Sequence, residues 1–142
     1  MNERKAEAVW NGGLREGEGT VRLGSGAFEG KYSFRTRFED EPGTNPEELI
    51  AAAHAACFSM ALTAGLNRSG FQPSRVHTTA SVALGKDEGG FAITRIDLDC
   101  EASVAGIDDA AFQAQAADAK ANCPVSKALR GVGSINLTAR LV

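Results

Sequence analysis

Between residues 43 and 62 the chain reads GTNPEELIAAAHAACFSMAL, and from Leu49 onward apolar side chains fall on every side of a helical wheel, interrupted by His54 and Ser59. Asn45 can cap such a helix through its side-chain oxygen. Pro46 suits the first helical position, and Glu48 stands where a capping box reaches back. The pattern predicts a long central helix, buried nearly all round. Upstream of it the period changes to two. Strands are predicted over residues 5–10, 19–23 and 31–39, separated by Asn11-Gly12-Gly13 and Gly24-Ser25-Gly26. The third alternates most cleanly, with Tyr32, Phe34, Thr36 and Phe38 on one face and Ser33, Arg35 and Arg37 on the other. Both arginines would then point away from the aromatic face, and nothing local separates Arg37 from Arg35.

Downstream, Ser69-Gly70 and Pro73 end the central helix. Residues 74–84 alternate with Val76, Thr78, Ala80, Val82 and Leu84 on one side. Residues 85–90 read as a hairpin loop, and residues 91–104 return with Ala92, Ile96, Leu98, Cys100, Ala102 and Val104 facing one way. Cys100 therefore belongs to a regular apolar face and reads as core packing. Asp108 or Asp109 can cap a second Ala-rich helix running through Phe112 and Ala116 toward Ala121, where Asn122-Cys123-Pro124 interrupts it. Pro124 fits the start of a short helix over 125–129, which places Cys123 at that helix's N-terminal end. A final strand carries Ile135, Leu137, Ala139 and Leu141. The order βββ-α-ββ-αα-β, with strands and helices segregated, predicts one α+β domain over residues 1–142 with mostly antiparallel sheet.

Composition narrows the function classes. Fifteen Lys plus Arg against eighteen Asp plus Glu give a net charge of −3 without a long run of either sign, so no footprint for nucleic acid or an acidic membrane is visible. The first twenty residues lack an apolar core for a signal peptide, which points to the cytoplasm. Three cysteines, an odd number, do not suggest a secreted disulfide scaffold, so any disulfide is expected to be transient and catalytic or sensory. Cys57 shares a helix side with Ile50, Ala53, Ala61 and Ala64 and is either inert filling or an enclosed nucleophile. His54 stands three residues before it, which raises a Cys–His hydrolase or a two-ligand metal site, although an orienting third group or further ligands are not evident. An apolar cleft for a small hydrophobic ligand, with thiols serving as sensors or filling, is the other alternative.

Three stretches carry a resemblance. GTNPEELIAAAHAACFSMAL, GFAIT at 90–94 and KANCPVSKAL at 120–129 look like the osmotically inducible protein C (OsmC) family, sister to the organic hydroperoxide resistance proteins, and the likeness covers essentially the whole chain. It implies an OsmC-like α+β fold built around the central helix and an intertwined homodimer with sites at the subunit interface. It also implies a thiol peroxidase in which Cys57 of AACF attacks the peroxide, Cys123 of NCPV resolves it, and Arg37 and Glu47 complete the site. The chemistry agrees with those residue types: a thiolate opens the O–O bond to leave sulfenic acid and an alcohol, and a second thiol condenses with that acid to a disulfide and water. Two thiols suffice, with no metal or cofactor. A thiol in an apolar helix needs a cation to ionise, and an arginine held by a carboxylate supplies a permanent one. Ten residues of helix separate Glu47 from Cys57 by about 15 Å, so the Glu47 that steadies a given Arg37 is expected from a second copy. The implied partners are a hydroperoxide, a dithiol reductant such as a lipoyl group, and that second copy. Phe58, Met60 and Phe112 are expected to line the approach to Cys57 and to favour organic over hydrogen peroxide.

Overall fold

The computed structural model describes residues 2–142. The chain falls into two compact units, one ending at Leu49 and one running Ile50–Val142. In the first, β1 (Ala6–Asn11), β2 (Glu18–Leu23) and β3 (Glu29–Tyr32) form an antiparallel sheet in the order β1-β2-β3. Gly19 in the middle strand pairs with Trp10 on one side and Tyr32 on the other, and those two rings meet with centroids 5.4 Å apart. A Cβ at Gly19 would come within 2.5 Å of the Tyr32 ring, so only glycine lets the rings close over that strand.

The strand expected over residues 31–39 is not formed beyond Tyr32. Residues Phe34–Phe38 are a short helix, α1. Its start is a reciprocal capping box: the Thr36 N–H donates to Ser33 Oγ at 3.2 Å, and the Ser33 N–H donates to Thr36 Oγ1 at 2.8 Å. Phe34 and Phe38 satisfy either period, since residues four apart share a strand face and also stack on a helix; here the ring centroids lie 4.8 Å apart. The cap decides between the two. Gly43, at φ +153°, closes the following loop, where a side chain would collide with Thr36 and the Lys31 carbonyl.

Helix α2 (Pro46–Arg68) begins in the first unit and runs through the second. Asn45 caps it, its Oδ1 accepting from the Glu48 N–H at 2.8 Å, while its Nδ2 donates to the Thr36 carbonyl at 3.0 Å and ties the end of α1 to the start of α2. The Glu48 carboxylate accepts from the Thr44 hydroxyl at 2.9 Å.

In the second unit, β4 (Pro73–Asp87), β5 (Gly90–Val104) and β6 (Ser134–Leu141) pair in that order. The β4–β5 pair is a long antiparallel hairpin, and β6 lies parallel to β5. The parallel return requires a crossover, which α3 (Asp109–Asn122) and α4 (Pro124–Ala128) provide. The loop expected over 85–90 is a two-residue turn, because Asp87 Oδ1 accepts from the Gly89 N–H at 2.8 Å and pairing continues to Asp87 opposite Gly90.

The core joins three faces. Phe58, Leu62 and Leu66 recur every four residues on α2; Ile96, Leu98, Cys100 and Ala102 alternate on β5; and Phe112, Ala116 and Ala119 come from α3. By length and composition α2 could cross a membrane, but this stripe is engaged in that core. Burial all round is not observed: Ala52, Ala53, Ala56, Met60 and Ala64 are exposed, with Met60 at 75%. Within one chain, α2 buries a stripe and leaves the opposite side apolar and open.

Candidate active site

The second unit brings the two selected thiols together. Cys57 precedes the core anchor Phe58 by one helical step and is half-buried, whereas Cys123 is buried at the junction of α3 and α4, where it ends one helix and caps the next. The Ser126 N–H donates to Cys123 Sγ at 3.3 Å, in the position of an N-cap accepting from the third helical residue. Both thiols are free, and Cys57 is hydrogen-bonded to Cys123 and to the backbone N–H of Val125. Burial pushes the Cys57 thiol up; the Val125 N–H pulls it down, and Cys123 raises it again through its hydrogen bond and charge. The pair is therefore poised for a disulfide, but Cys57 needs a further positive influence to be a thiolate near neutral pH.

Cys100 lies elsewhere in the core, fully buried on β5 opposite Thr78. Burial pushes its thiol up as well. Its packing role was legible in the alternation of its strand.

Two further side chains complete the thiol cluster. His54, one turn before Cys57 on α2, is fully buried, and its Nε2 lies 2.7 Å from Ser126 Oγ. The Cys123 thiol in turn donates to Ser126 Oγ at 3.1 Å. Burial lowers the His54 pKa, so the imidazole is neutral. Sequence reasoning weighed His54 and missed Ser126. The available signal was the Cys-Pro-x-Ser spacing, which sets a hydroxyl at the third residue of a helix capped by the thiol; its partner lies 72 residues away.

The first unit holds the charged pair. Arg37 Nε donates to both oxygens of Glu47, at 2.7 and 3.3 Å, and Glu47 is almost entirely buried while Arg37 remains partly accessible. The expectation that Glu47 would reach Arg37 only from a second copy is thus corrected: the pair forms within one chain. The reason is α1, which replaces the expected strand and turns Arg37 toward the first turn of α2. Arg35 goes instead to Glu39 and Glu41 at the surface, with closest approaches of 3.9 and 4.0 Å. One structured pair and one exposed one separate the two arginines that the sequence left equivalent.

Beside Arg37 lies a cavity of about 260 Å³, lined by Trp10, Leu14, Tyr32, Phe34, Phe38 and Pro46 together with Ser33 and Arg37 itself. Sequence reading assigned Trp10 no role. The side chains expected to form an apolar approach are placed differently: Phe58 and Phe112 are fully buried in the core of the second unit, and Met60 is exposed.

Comparison with known proteins accords with this architecture. Residues 38–138 match the family model described as OsmC-like protein. The chain is 52% identical to peroxiredoxin OsmC of Escherichia coli (strain K12) over 128 residues, covering 89% of this chain and 90% of that protein. It is 38% identical over 97 residues to the organic hydroperoxide resistance protein of Xanthomonas axonopodis pv. citri, covering 68% and 66% of the two chains. The crystal structure of the organic hydroperoxide resistance protein OhrB of Bacillus subtilis superposes with a TM-score of 0.72 at 28% identity, covering 97% of this chain and 98% of that one. On the family match and the extent of these relatives, the chain belongs to the OsmC-like protein family.

Proposed function

We propose that this chain is a thiol-dependent peroxidase that detoxifies organic hydroperoxides in the cytoplasm. The observation that carries the reading is the contact between two free thiols, Cys57 accessible and Cys123 buried. The names of its relatives, a peroxiredoxin and organic hydroperoxide resistance proteins, support the same reading. The Cys57 thiolate attacks the peroxide O–O bond and becomes a sulfenic acid as the alcohol leaves; Cys123 then displaces the hydroxyl, and a disulfide and water result. A dithiol of the lipoyl type reopens the disulfide by exchange.

Arg37 supplies the positive charge that lets Cys57 ionise, and Glu47 fixes the guanidinium by accepting from its Nε. Glu47 and Cys57 stand ten residues apart on α2, about 15 Å of rise, so we assign the Arg37–Glu47 pair of one copy to the thiols of another. The open apolar side of α2, with Met60 at its centre, is a surface that a homodimer would cover. Glu47→Ala and Cys57→Ser chains are each expected to be inactive. Mixed under conditions that exchange subunits, they should regain activity, because a hybrid holds one whole site. Absence of any recovery in hybrids shown to have formed would place both halves of each site in one chain.

The cavity beside Arg37 carries the substrate preference. An alkyl chain desolvated among Trp10, Phe34 and Phe38 gains about 0.8 kcal/mol per buried methylene, whereas hydrogen peroxide has nothing to bury. Three methylenes amount to about 2.4 kcal/mol, which is more than tenfold in specificity if the contact persists in the transition state. Second-order rate constants on one reduced sample should therefore rise with alkyl length and exceed that for hydrogen peroxide by at least about tenfold. Trp10→Ala should compress that ratio. Equal constants for hydrogen peroxide and a bulky alkyl hydroperoxide would remove the cavity from the reading and leave the two thiols in it.

A further inference from the structure

Resolution of a sulfenic acid poses a proton problem that two buried sulfurs do not solve by themselves. When Cys123 attacks Cys57, the S–S bond forms, the Cys57 S–O bond breaks, and its electron pair leaves with oxygen. The Cys123 thiol proton must depart and the released hydroxide must gain one. Cys123 is only 1% exposed, so bulk water has little access to that proton.

A continuous chain of hydrogen bonds starts at that thiol. Cys123 Sγ donates to Ser126 Oγ at 3.1 Å, and Ser126 Oγ lies 2.7 Å from His54 Nε2. Ser126 and His54 are themselves buried, at 5% and 0% exposure. The far ring nitrogen, His54 Nδ1, has no hydrogen-bond partner among the described residues. A neutral imidazole that accepts at Nε2 carries its own proton at Nδ1, where nothing satisfies it. Leaving a buried polar group unpaired is costly, so simple space-filling is a poor account of a histidine here. A basic Nε2 aimed at the hydroxyl that holds the resolving thiol gives the ring a use.

We propose that Ser126 and His54 are positioning residues for resolution, acting through Cys123: Ser126 accepts the thiol proton while passing its own to His54, and Cys123 attacks as a thiolate. The proton gained by His54 returns to the hydroxide expelled from Cys57, which leaves as water, so the ring ends as it began. When a dithiol reopens the disulfide, a thiol proton released by the dithiol, taken up at His54 Nε2 and passed back through Ser126, reprotonates Cys123 as it leaves. The inference rests on the two-thiol reading above, and extends it to two residues that the thiol chemistry alone leaves without a role.

The test compares Ser126→Ala, Ser126→Thr, His54→Gln and Cys123→Ser in the full chain. Ser126→Ala removes one oxygen and keeps the backbone N–H that caps onto Cys123, so it carries the test even if His54→Gln lowers the yield of folded protein. Each reduced protein is mixed with one equivalent of an alkyl hydroperoxide; sulfenic acid is followed with a chromophoric trap, disulfide by thiol loss, and folding by melting temperature. Ser126→Ala and His54→Gln should form disulfide about a hundredfold more slowly, the low end of what positioned proton transfer contributes. They should also accumulate sulfenic acid as Cys123→Ser does. Ser126→Thr, which keeps the hydroxyl, should restore the rate. Unchanged disulfide formation in folded Ser126→Ala, with sulfenic acid trapped in Cys123→Ser, overturns the relay. Failure of Cys123→Ser to accumulate sulfenic acid overturns the two-thiol reading and the relay with it.

Discussion

Cys57→Ser should abolish peroxide reduction. A serine hydroxyl at that position cannot be oxidised to the sulfenic level, and no other thiol shares its combination of access and a neighbouring cysteine: Cys100 and Cys123 are both buried. Cys123→Ser should still consume one equivalent of peroxide and then stop, with sulfenic acid held at Cys57. Cys100→Ser should turn over normally, because its sulfur packs within the sheet face of the core. Rapid single turnover in Cys57→Ser would reverse the roles and make Cys123 the peroxidatic thiol. Measuring alcohol formed per chain in each variant separates the outcomes.

Phe58→Ala should cost about 3–5 kcal/mol, the range for deleting a buried aromatic side chain, against total stabilities of about 5–15 kcal/mol for single domains. Phe58 is fully buried and sits where α2 meets the β5 and α3 faces of the core. Its burial also fixes the rotation of the helix. One residue is 100° of turn, so seating Phe58 in the core sets the direction in which Cys57 points. The variant should therefore lose both denaturant midpoint and rate of disulfide formation. Chemical unfolding at a fixed protein concentration checks the first, and a midpoint shift equivalent to less than about 1 kcal/mol would show that α2 is anchored elsewhere.

Much of this architecture could be read in advance because single residues carried unambiguous local physics. Asn45-Pro46 specifies the start of α2, and the alternation of 96, 98, 100 and 102 marks the inner face of β5. The failure at residues 34–38 has a definite cause: Phe34 and Phe38 fit both a strand and a helix, and the deciding Ser33–Thr36 box was not weighed. The second-copy expectation for Glu47 has another source, the roughly 15 Å of helix between Glu47 and Cys57 taken with an Arg37 placed beside the thiol; α1 instead sets Arg37 against Glu47 within one chain. The expectation that α2 is buried all round overlooked that one chain need not cover a helix that is apolar on every side. Cys57 and Cys123 could be named through their motifs, since each stands in a long stretch resembling the family pattern. The Ser126–His54 contact had no such handle, because long-range pairing between a hydroxyl and an imidazole leaves no periodic trace in sequence. The aromatic cavity was equally hidden, for it depends on Trp10 and Phe34 converging from a strand and a helix that had been read as two strands.

The central claim is that two of the three cysteines form a peroxide-driven couple. Stopped-flow mixing of the fully reduced protein with one equivalent per chain of an alkyl hydroperoxide, followed by thiol counting and peptide mapping, tests it most directly. The account predicts rapid loss of two thiols per chain, one disulfide joining Cys57 to Cys123, and Cys100 left reduced. Slow oxidation, or a disulfide or irreversible oxide that bypasses the Cys57–Cys123 pair, would contradict it.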